Sequence, residues 1–225
     1  MKLQRLGGYG AIGSASLFAG VIVLMLQLGK RFSSLDDPTK FIAAVSTAPV
    51  HFYAFYLLLI VQFILWQIMF LALHERMQVK AHQLTRIAVI AASAGTVLAV
   101  AFAVMQAETI RKIVQHMAPM QDATYRAFRE IGGGLALTAL HFYGWAGLLV
   151  GWAILRTRPF STIPGWLLVV AGLLEIGDFI LAWLPLPNIG AAAHLIDCVA
   201  AVWIGIALLR QKQPQSALEE MAVSK

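Results

Sequence analysis

Charged residues are scarce in this chain, and cysteine is nearly absent. Of its 225 residues, 12% are charged and 60% are hydrophobic, whereas soluble domains average about 25% charged and about 45–50% apolar residues. An apolar surplus of this size excludes an ordinary soluble domain, because it has to face lipid. The single cysteine, Cys198, excludes an intrachain disulfide, CxxC redox chemistry and a cysteine-based zinc site. The composition therefore predicts an integral membrane protein whose first partner is the lipid bilayer.

Motifs of the common enzyme classes are also missing. The sequence contains no P-loop, GxSxG, HExxH or dinucleotide-binding fingerprint. A net charge of +6 would suggest a nucleic-acid partner in a soluble protein. Here, however, the Lys and Arg residues lie between the apolar runs and at their ends, where such residues anchor and orient helices. We therefore expect no nucleic-acid partner.

Six apolar runs are long enough to cross a bilayer. A helix spans the roughly 30 Å hydrocarbon layer with about 20 apolar residues. The first run is too long for a typical signal-peptide core and lacks a convincing cleavage site, so we interpret it as a retained helix. We predict an all-α fold, a single bundle of six transmembrane helices over residues 1–210, followed by a polar cytoplasmic tail at 211–225. The runs cover about 7–28, 50–73, 85–107, 133–155, 164–185 and 189–210.

Two segments between the runs are predicted to be short interfacial helices in the outer loops. Asp36-Asp37-Pro38 supplies an N-cap and a proline in the first turn, and Thr39 to Thr47 follow with the apolar spacing of an interfacial helix. A similar piece extends from Asp122 to Ile131. The connection at 185–188 is so short that the fifth and sixth spans are expected to be antiparallel neighbours.

The orientation of the bundle is predicted from the positive charges of its loops. With the N-terminus inside, ten Lys and Arg residues lie on the cytoplasmic side and seven on the outer side. The outer seven are in the two longest loops, where charge has less influence on topology. We therefore expect cytoplasmic N- and C-termini. The layout of six spans resembles that of small bacterial inner-membrane proteins, which implies a membrane of the bacterial inner (plasma) type.

Ionisable residues within the apolar runs are the most informative feature of the sequence. A charged Asp at bilayer depth costs at least about 2.5 kcal/mol, so each such group needs a partner or a watery cavity. Glu175 and Asp178 lie three residues apart on the fifth span, and His194 and Asp197 have the same spacing on the sixth. Each pair lies on one face of its helix. Because the two helices fold back on each other at the connection, the two pairs are expected at the same depth along the helices. Together with Tyr143 they predict a pocket for a small solute, ion or proton in the outer half of the bundle.

Three histidines on separate spans predict a second kind of site. His51, His141 and His194 each fall in the outer half of a span. Imidazoles from separate helices, joined by the Asp197 carboxylate, would suit zinc or another divalent metal, and two facing imidazoles would suit a haem iron. An intramembrane metal- or haem-dependent enzyme is therefore the first alternative. The second is a structural or accessory subunit, whose polar side chains only hold helices together.

Small residues recur at four-residue spacing, which allows helix backbones to approach closely. This spacing is compatible with a homodimer interface and with packing inside one bundle. Two tryptophans at greater depth, Trp66 and Trp203, are expected to line a pocket. The small residues are Gly10, Ser14, Ser16, Gly20, Ala91, Gly95, Ala99, Ala103, Gly147 and Gly151.

Overall fold

The computed structural model describes residues 3–32, 37–116, 122–182 and 190–210, and in these ranges every regular element is a helix. All of its helices except the second are long and apolar enough to cross a membrane. The chain is thus a multi-pass helical protein of the membrane type. The helices are α1 Leu3–Phe32, α2 Pro38–Thr47, α3 Pro49–His116, α4 Asp122–Thr157, α5 Ile163–Leu181 and α6 Gly190–Arg210.

Helix α3 reverses its direction at Ala81. This residue has non-helical backbone angles, φ −142° and ψ 38°, and side chains distant in sequence meet across it. The Gln67 amide donates a hydrogen bond to Ser93 Oγ at 2.8 Å, although about 39 Å would separate these residues along a straight helix. Residues 49–80 and 82–116 are therefore two antiparallel arms of α3, at the positions of the second and third apolar runs.

The long helices form a closed ring in chain order. The helix pairs in contact are α1 with α3, α3 with α4, α4 with α5, α5 with α6, and α6 with α1. Gly7 of α1 meets Ala72 in the first arm of α3, and Gly95 in the second arm meets Tyr143 of α4. Each arm of α3 therefore has its own neighbour, and the side chains pointing to the middle of the ring form the core.

Glycines allow several of these helix pairs to pack with short distances between their backbones. A Cβ added at Gly172 would lie 2.5 Å from the carbonyl oxygen of Gly144, and one at Gly151 would lie 2.6 Å from a carbonyl oxygen of α5. The backbones of α4 and α5 are therefore in direct contact, as small residues in membrane helices permit. Gly10 and Gly95 also contact other helices of the same chain. These small residues serve packing within the bundle, and a homodimer remains a prediction.

The two expected interfacial helices differ in the structure. Helix α2 begins as its sequence indicates, because the Asp37 carboxylate accepts hydrogen bonds from the backbone N–H groups of Thr39 and Lys40, and the Lys40 side chain beside it lowers the pKa of Asp37. By contrast, the segment from Asp122 to Ile131 is the continuous first part of α4. No proline separates it from the apolar run, and the following Gly132 makes room for the Gln106 amide. The connection at 185–188 and the tail at 211–225 lie outside the described residues.

Candidate functional site

Three polar side chains converge in the interior of the ring: Glu175 of α5, and His194 and Asp197 of α6. One potential ligand atom from each lies within 4.8 Å of the other two, and His194 Nδ1 is 3.3 Å from Glu175 Oε1. Glu175 is 2% exposed and Asp197 is 6% exposed. We refer to these three residues as the buried triad. In the part of the chain that the structure describes, no other group of His, Cys, Asp and Glu side chains has this potential to hold a metal ion.

The local sequence explains why these three side chains meet. His194 and Asp197 are three residues apart, so they project from the same face of α6. Glu175 reaches the same level because α5 and α6 pack against each other. Its own position depends on Gly144 of α4, where an added Cβ would lie 3.0 Å from the Cβ of Glu175. The missing side chain at Gly144 therefore lets α5 carry Glu175 into the core.

Aromatic rings enclose the buried triad. The imidazole of His194 packs against Phe18 and Trp66, with ring centroids 5.1 and 5.3 Å away. Trp66 in turn lies 5.1 Å from the ring of Tyr143, so it occupies the interior position expected from its depth in the sequence. These rings exclude water, and an unpaired charge costs more in such surroundings than at a surface.

A chain of hydrogen bonds begins at Tyr143 and links α4 to both arms of α3. The Tyr143 hydroxyl lies 2.7 Å from Thr96 Oγ1, and the Thr96 hydroxyl donates to Gln67 Oε1 at 3.5 Å. The Gln67 amide continues the chain to Ser93. Reasoning from the sequence missed these partners because it considered ionisable groups. The sequence feature that could have identified these partners is a neutral polar side chain inside an apolar run.

A second buried amide was missed for the same reason. Gln62 lies one helical turn before Trp66 and is completely buried, yet neither its amide nitrogen nor its amide oxygen has a hydrogen-bond partner. A buried amide without partners is costly. Gln62 therefore adds a further polar group to the core on the helix face that carries Trp66.

Among the residues placed by the structure, the carboxyl groups of the buried triad form no ion pair with Lys or Arg, and His194 is the basic side chain beside them. Glu175 and Asp197 each offer an oxygen atom within 4.8 Å of the other, so two ionised carboxylates at these positions would repel each other. Asp178, 4% exposed, brings a third carboxyl one turn along α5, although it is not one of the three converging side chains. Two negative charges are stable at this depth only with bound protons or a cation.

The aromatic cover of the buried triad comes partly from α1. Phe18, which covers His194, lies near the middle of the first apolar run. The sequence predicts this pocket in the outer half of the bundle, and that depth stays a prediction.

The three histidines expected to act together are separated in the structure. His51 is exposed at the start of α3. His141 packs against Phe179 at a centroid distance of 4.3 Å and accepts a hydrogen bond from Trp145 Nε1. Within the described ranges neither joins His194 in a potential metal site, and no two of the three face each other across a haem. Helix phase explains this result: the interior residue of α4 is Tyr143, so His141, two positions earlier, points to another side.

Models of known protein families, curated proteins and solved structures were compared with the chain, and none of them matches it. The function must therefore be inferred from the chemistry of the buried triad and from the arrangement of the helices around it.

Proposed function

We propose that this chain is a six-span protein of a bacterial-type inner (plasma) membrane that binds and transports a small cation, for which a divalent metal ion and protons compete at the buried triad. The observation that supports this proposal most directly is the convergence of two carboxyl groups and one imidazole in the interior. A divalent ion neutralises both carboxylates, and so do two protons. Each occupant therefore excludes the other.

The ligand atoms suit a first-row divalent metal such as zinc. Carboxylate oxygens and imidazole nitrogens bind Zn²⁺ at about 2.0–2.2 Å, so two ligands of a tetrahedral ion lie about 3.4 Å apart. The 3.3 Å between His194 Nδ1 and Glu175 Oε1 is close to that separation. Asp197 supplies the second carboxylate with a small side-chain adjustment. Glu175 Oε1 is buried and has no hydrogen-bond partner, so it is available to a cation.

Charge distribution supports the six-span topology with both termini in the cytoplasm. One end of the ring carries the start of α1, the reversal at Ala81, the connection from α4 to α5 and the end of α6. By sequence position, ten of the Lys and Arg residues belong to this end and seven to the other, and the positive-inside rule assigns the more basic end to the cytoplasm. The ten are Lys2, Arg5, Arg76, Lys80, Arg86, Arg156, Arg158, Arg210, Lys212 and Lys225, and the seven are Lys30, Arg31, Lys40, Arg111, Lys112, Arg126 and Arg129.

Cysteine labelling tests this topology, because Cys198 is the only native cysteine. In a Cys198→Ser background, Lys80→Cys and Arg126→Cys place one thiol at each end of the bundle. A membrane-impermeant maleimide should label the second variant in intact cells and the first only after the membrane is opened. Labelling of Lys80→Cys in intact cells would show that the orientation is reversed, and labelling of both would contradict the six-span arrangement.

Reconstitution in liposomes tests transport. With a Zn²⁺ gradient across the membrane, the protein should carry zinc inward while protons leave, recorded by a zinc indicator and a pH dye inside the vesicles. Glu175→Gln should abolish both signals, whereas the exposed Glu75→Gln should preserve them. A wild-type protein that neither retains zinc after purification from zinc-containing buffer nor produces zinc or proton flux would refute the proposal.

The buried triad also supports the enzyme alternative. Three protein ligands leave one position of a tetrahedral zinc ion free for water or substrate, as in catalytic zinc sites. An enzyme of this kind would retain its zinc tightly and show no zinc flux in liposomes. In a purely structural subunit, the same Glu175→Gln change would alter thermal stability without affecting zinc content.

A further inference from the structure

A groove at the basic end of the bundle is separate from the buried triad. It has a volume of about 480 Å³ and lies where the start of α1, the first arm of α3 and the end of α4 meet. Arg76 and Lys80, one helical turn apart, face Arg158 across it. The Arg76 guanidinium donates a hydrogen bond to Gln4 Oε1, which connects the groove to α1. Three cationic side chains from two elements thus share one concave surface.

Two cations of this groove differ from Lys40 and Arg111 at the opposite end of the bundle. There, Lys40 forms an ion pair with Asp37 and Arg111 forms one with Glu108. Neither Lys80 nor Arg158 has an ion pair within the described ranges, and no carboxylate lines the groove. Like charges held together repel each other. The groove is therefore suited to an anion.

The backbone at Arg158 supports a role for its side chain. Arg158 has φ +48°, in the left-handed region, and its N–H bonds to the carbonyl of Ile154 at 2.8 Å to end α4. Glycine usually occupies this position after a helix, because a side chain there is strained. The chain nevertheless has an arginine here, and its guanidinium lines the groove.

Apolar residues beside the cations indicate where the anion comes from. Val79 is 92% exposed and lines the groove together with the half-buried Pro159. Such a surface would contact the glycerol and acyl chains of a lipid. We infer that this groove binds the phosphate group of an anionic phospholipid through Arg76, Lys80 and Arg158. Phosphate is the chemistry that these side chains recognise, and a free phosphate ion would use the same contacts without the apolar surface.

The test uses the full chain in detergent and three probes: dioleoylphosphatidylglycerol, dioleoylphosphatidylcholine and inorganic phosphate. Native mass spectrometry measures lipid affinity, and thermal unfolding measures stabilisation. Phosphatidylglycerol should bind more tightly than phosphatidylcholine and raise the melting temperature, whereas inorganic phosphate should leave it unchanged. Equal binding of the two lipids would overturn the inference, and stabilisation by inorganic phosphate equal to that by phosphatidylglycerol would overturn its lipid part.

Three variants locate the effect. Lys80→Gln and Arg158→Gly should each weaken phosphatidylglycerol binding about five-fold, the equivalent of about 1 kcal/mol for one cation beside an anionic lipid. Arg156→Gln removes the same charge from a neighbouring exposed position outside the groove and should change binding less than two-fold. Arg158→Gly should also equal or exceed the wild type in melting temperature with phosphatidylcholine, because glycine relieves the left-handed strain. Equal losses in all three variants would show that only the overall charge of this end matters and would refute the groove.

Discussion

Replacing Glu175 with Gln removes one charge from the buried triad and preserves its shape. Even a unit charge at about 4 Å, with an effective dielectric constant of about 20, interacts with a carboxylate by about 4 kcal/mol, which corresponds to about a thousand-fold in affinity, and a doubly charged ion at ligand distance interacts more strongly. Part of this loss is offset, because Gln also removes the repulsion between Glu175 and Asp197. We therefore expect Glu175→Gln to bind Zn²⁺ at least about 100-fold more weakly than the wild type, measured by equilibrium dialysis and metal analysis in detergent.

The fold should survive this substitution. The Gln amide can donate a hydrogen bond to Asp197 and accept one from His194, and the substitution removes the repulsion between two neighbouring carboxylates. The melting temperature should therefore equal or exceed that of the wild type. Asp178→Asn is the matched control, because Asp178 lies on the same helix, is 4% exposed and does not belong to the buried triad. It should reduce zinc affinity less than about ten-fold.

The pH dependence of zinc binding completes this test. In the proposed site zinc displaces the protons that neutralise Glu175 and Asp197 in its absence, so binding should strengthen as the pH rises, by about ten-fold per unit for each proton released. This slope should decrease in Glu175→Gln. The reasoning fails if zinc binding to the wild type is independent of pH, or if Asp178→Asn is impaired more than Glu175→Gln.

Two further substitutions test the packing around the site. Gly172→Ala would place a Cβ 2.5 Å from the Gly144 carbonyl oxygen and should cost about 1–3 kcal/mol of stability in thermal unfolding, whereas Gly134→Ala, with nothing within 4 Å, should cost nothing. Equal effects of the two would contradict the close contact of α4 and α5. Tyr143→Phe removes the hydroxyl bonded to Thr96 and should cost about 1 kcal/mol while zinc affinity stays within about three-fold. An unchanged melting temperature would show that this hydrogen bond contributes nothing.

The helical character of the chain follows from its sequence, but the order of helices around the ring does not. The apolar runs predict the long helices, and Asp37 predicts the start of α2, because length and capping are local properties. Close backbone contacts, such as that between Gly144 and Gly172, determine which helices become neighbours. Several other glycines have equivalent surroundings in the sequence, so their spacing alone does not identify the partner helix.

The buried triad was partly predictable. The spacing of His194 and Asp197, together with the rise of two antiparallel helices, predicts that they meet Glu175. The exclusion of His141 was not predictable, because the lipid-facing and interior sides of a membrane helix are both apolar. Hydrophobic periodicity, which shows the buried face of a soluble helix, therefore carries little information about which way α4 is turned.

Closure of the ring between α1 and α6 has a consequence for biosynthesis. Because the chain is made from its N-terminus, Gly8 and Phe18 of α1 enter the membrane before the helix that covers them exists. His194 and Asp197 arrive on α6, so insertion of this helix closes the ring and completes the buried triad in a single step. A nascent chain therefore lacks the buried triad until α6 is inserted, and a chain that ends before α6 leaves the core-facing side of α1 uncovered.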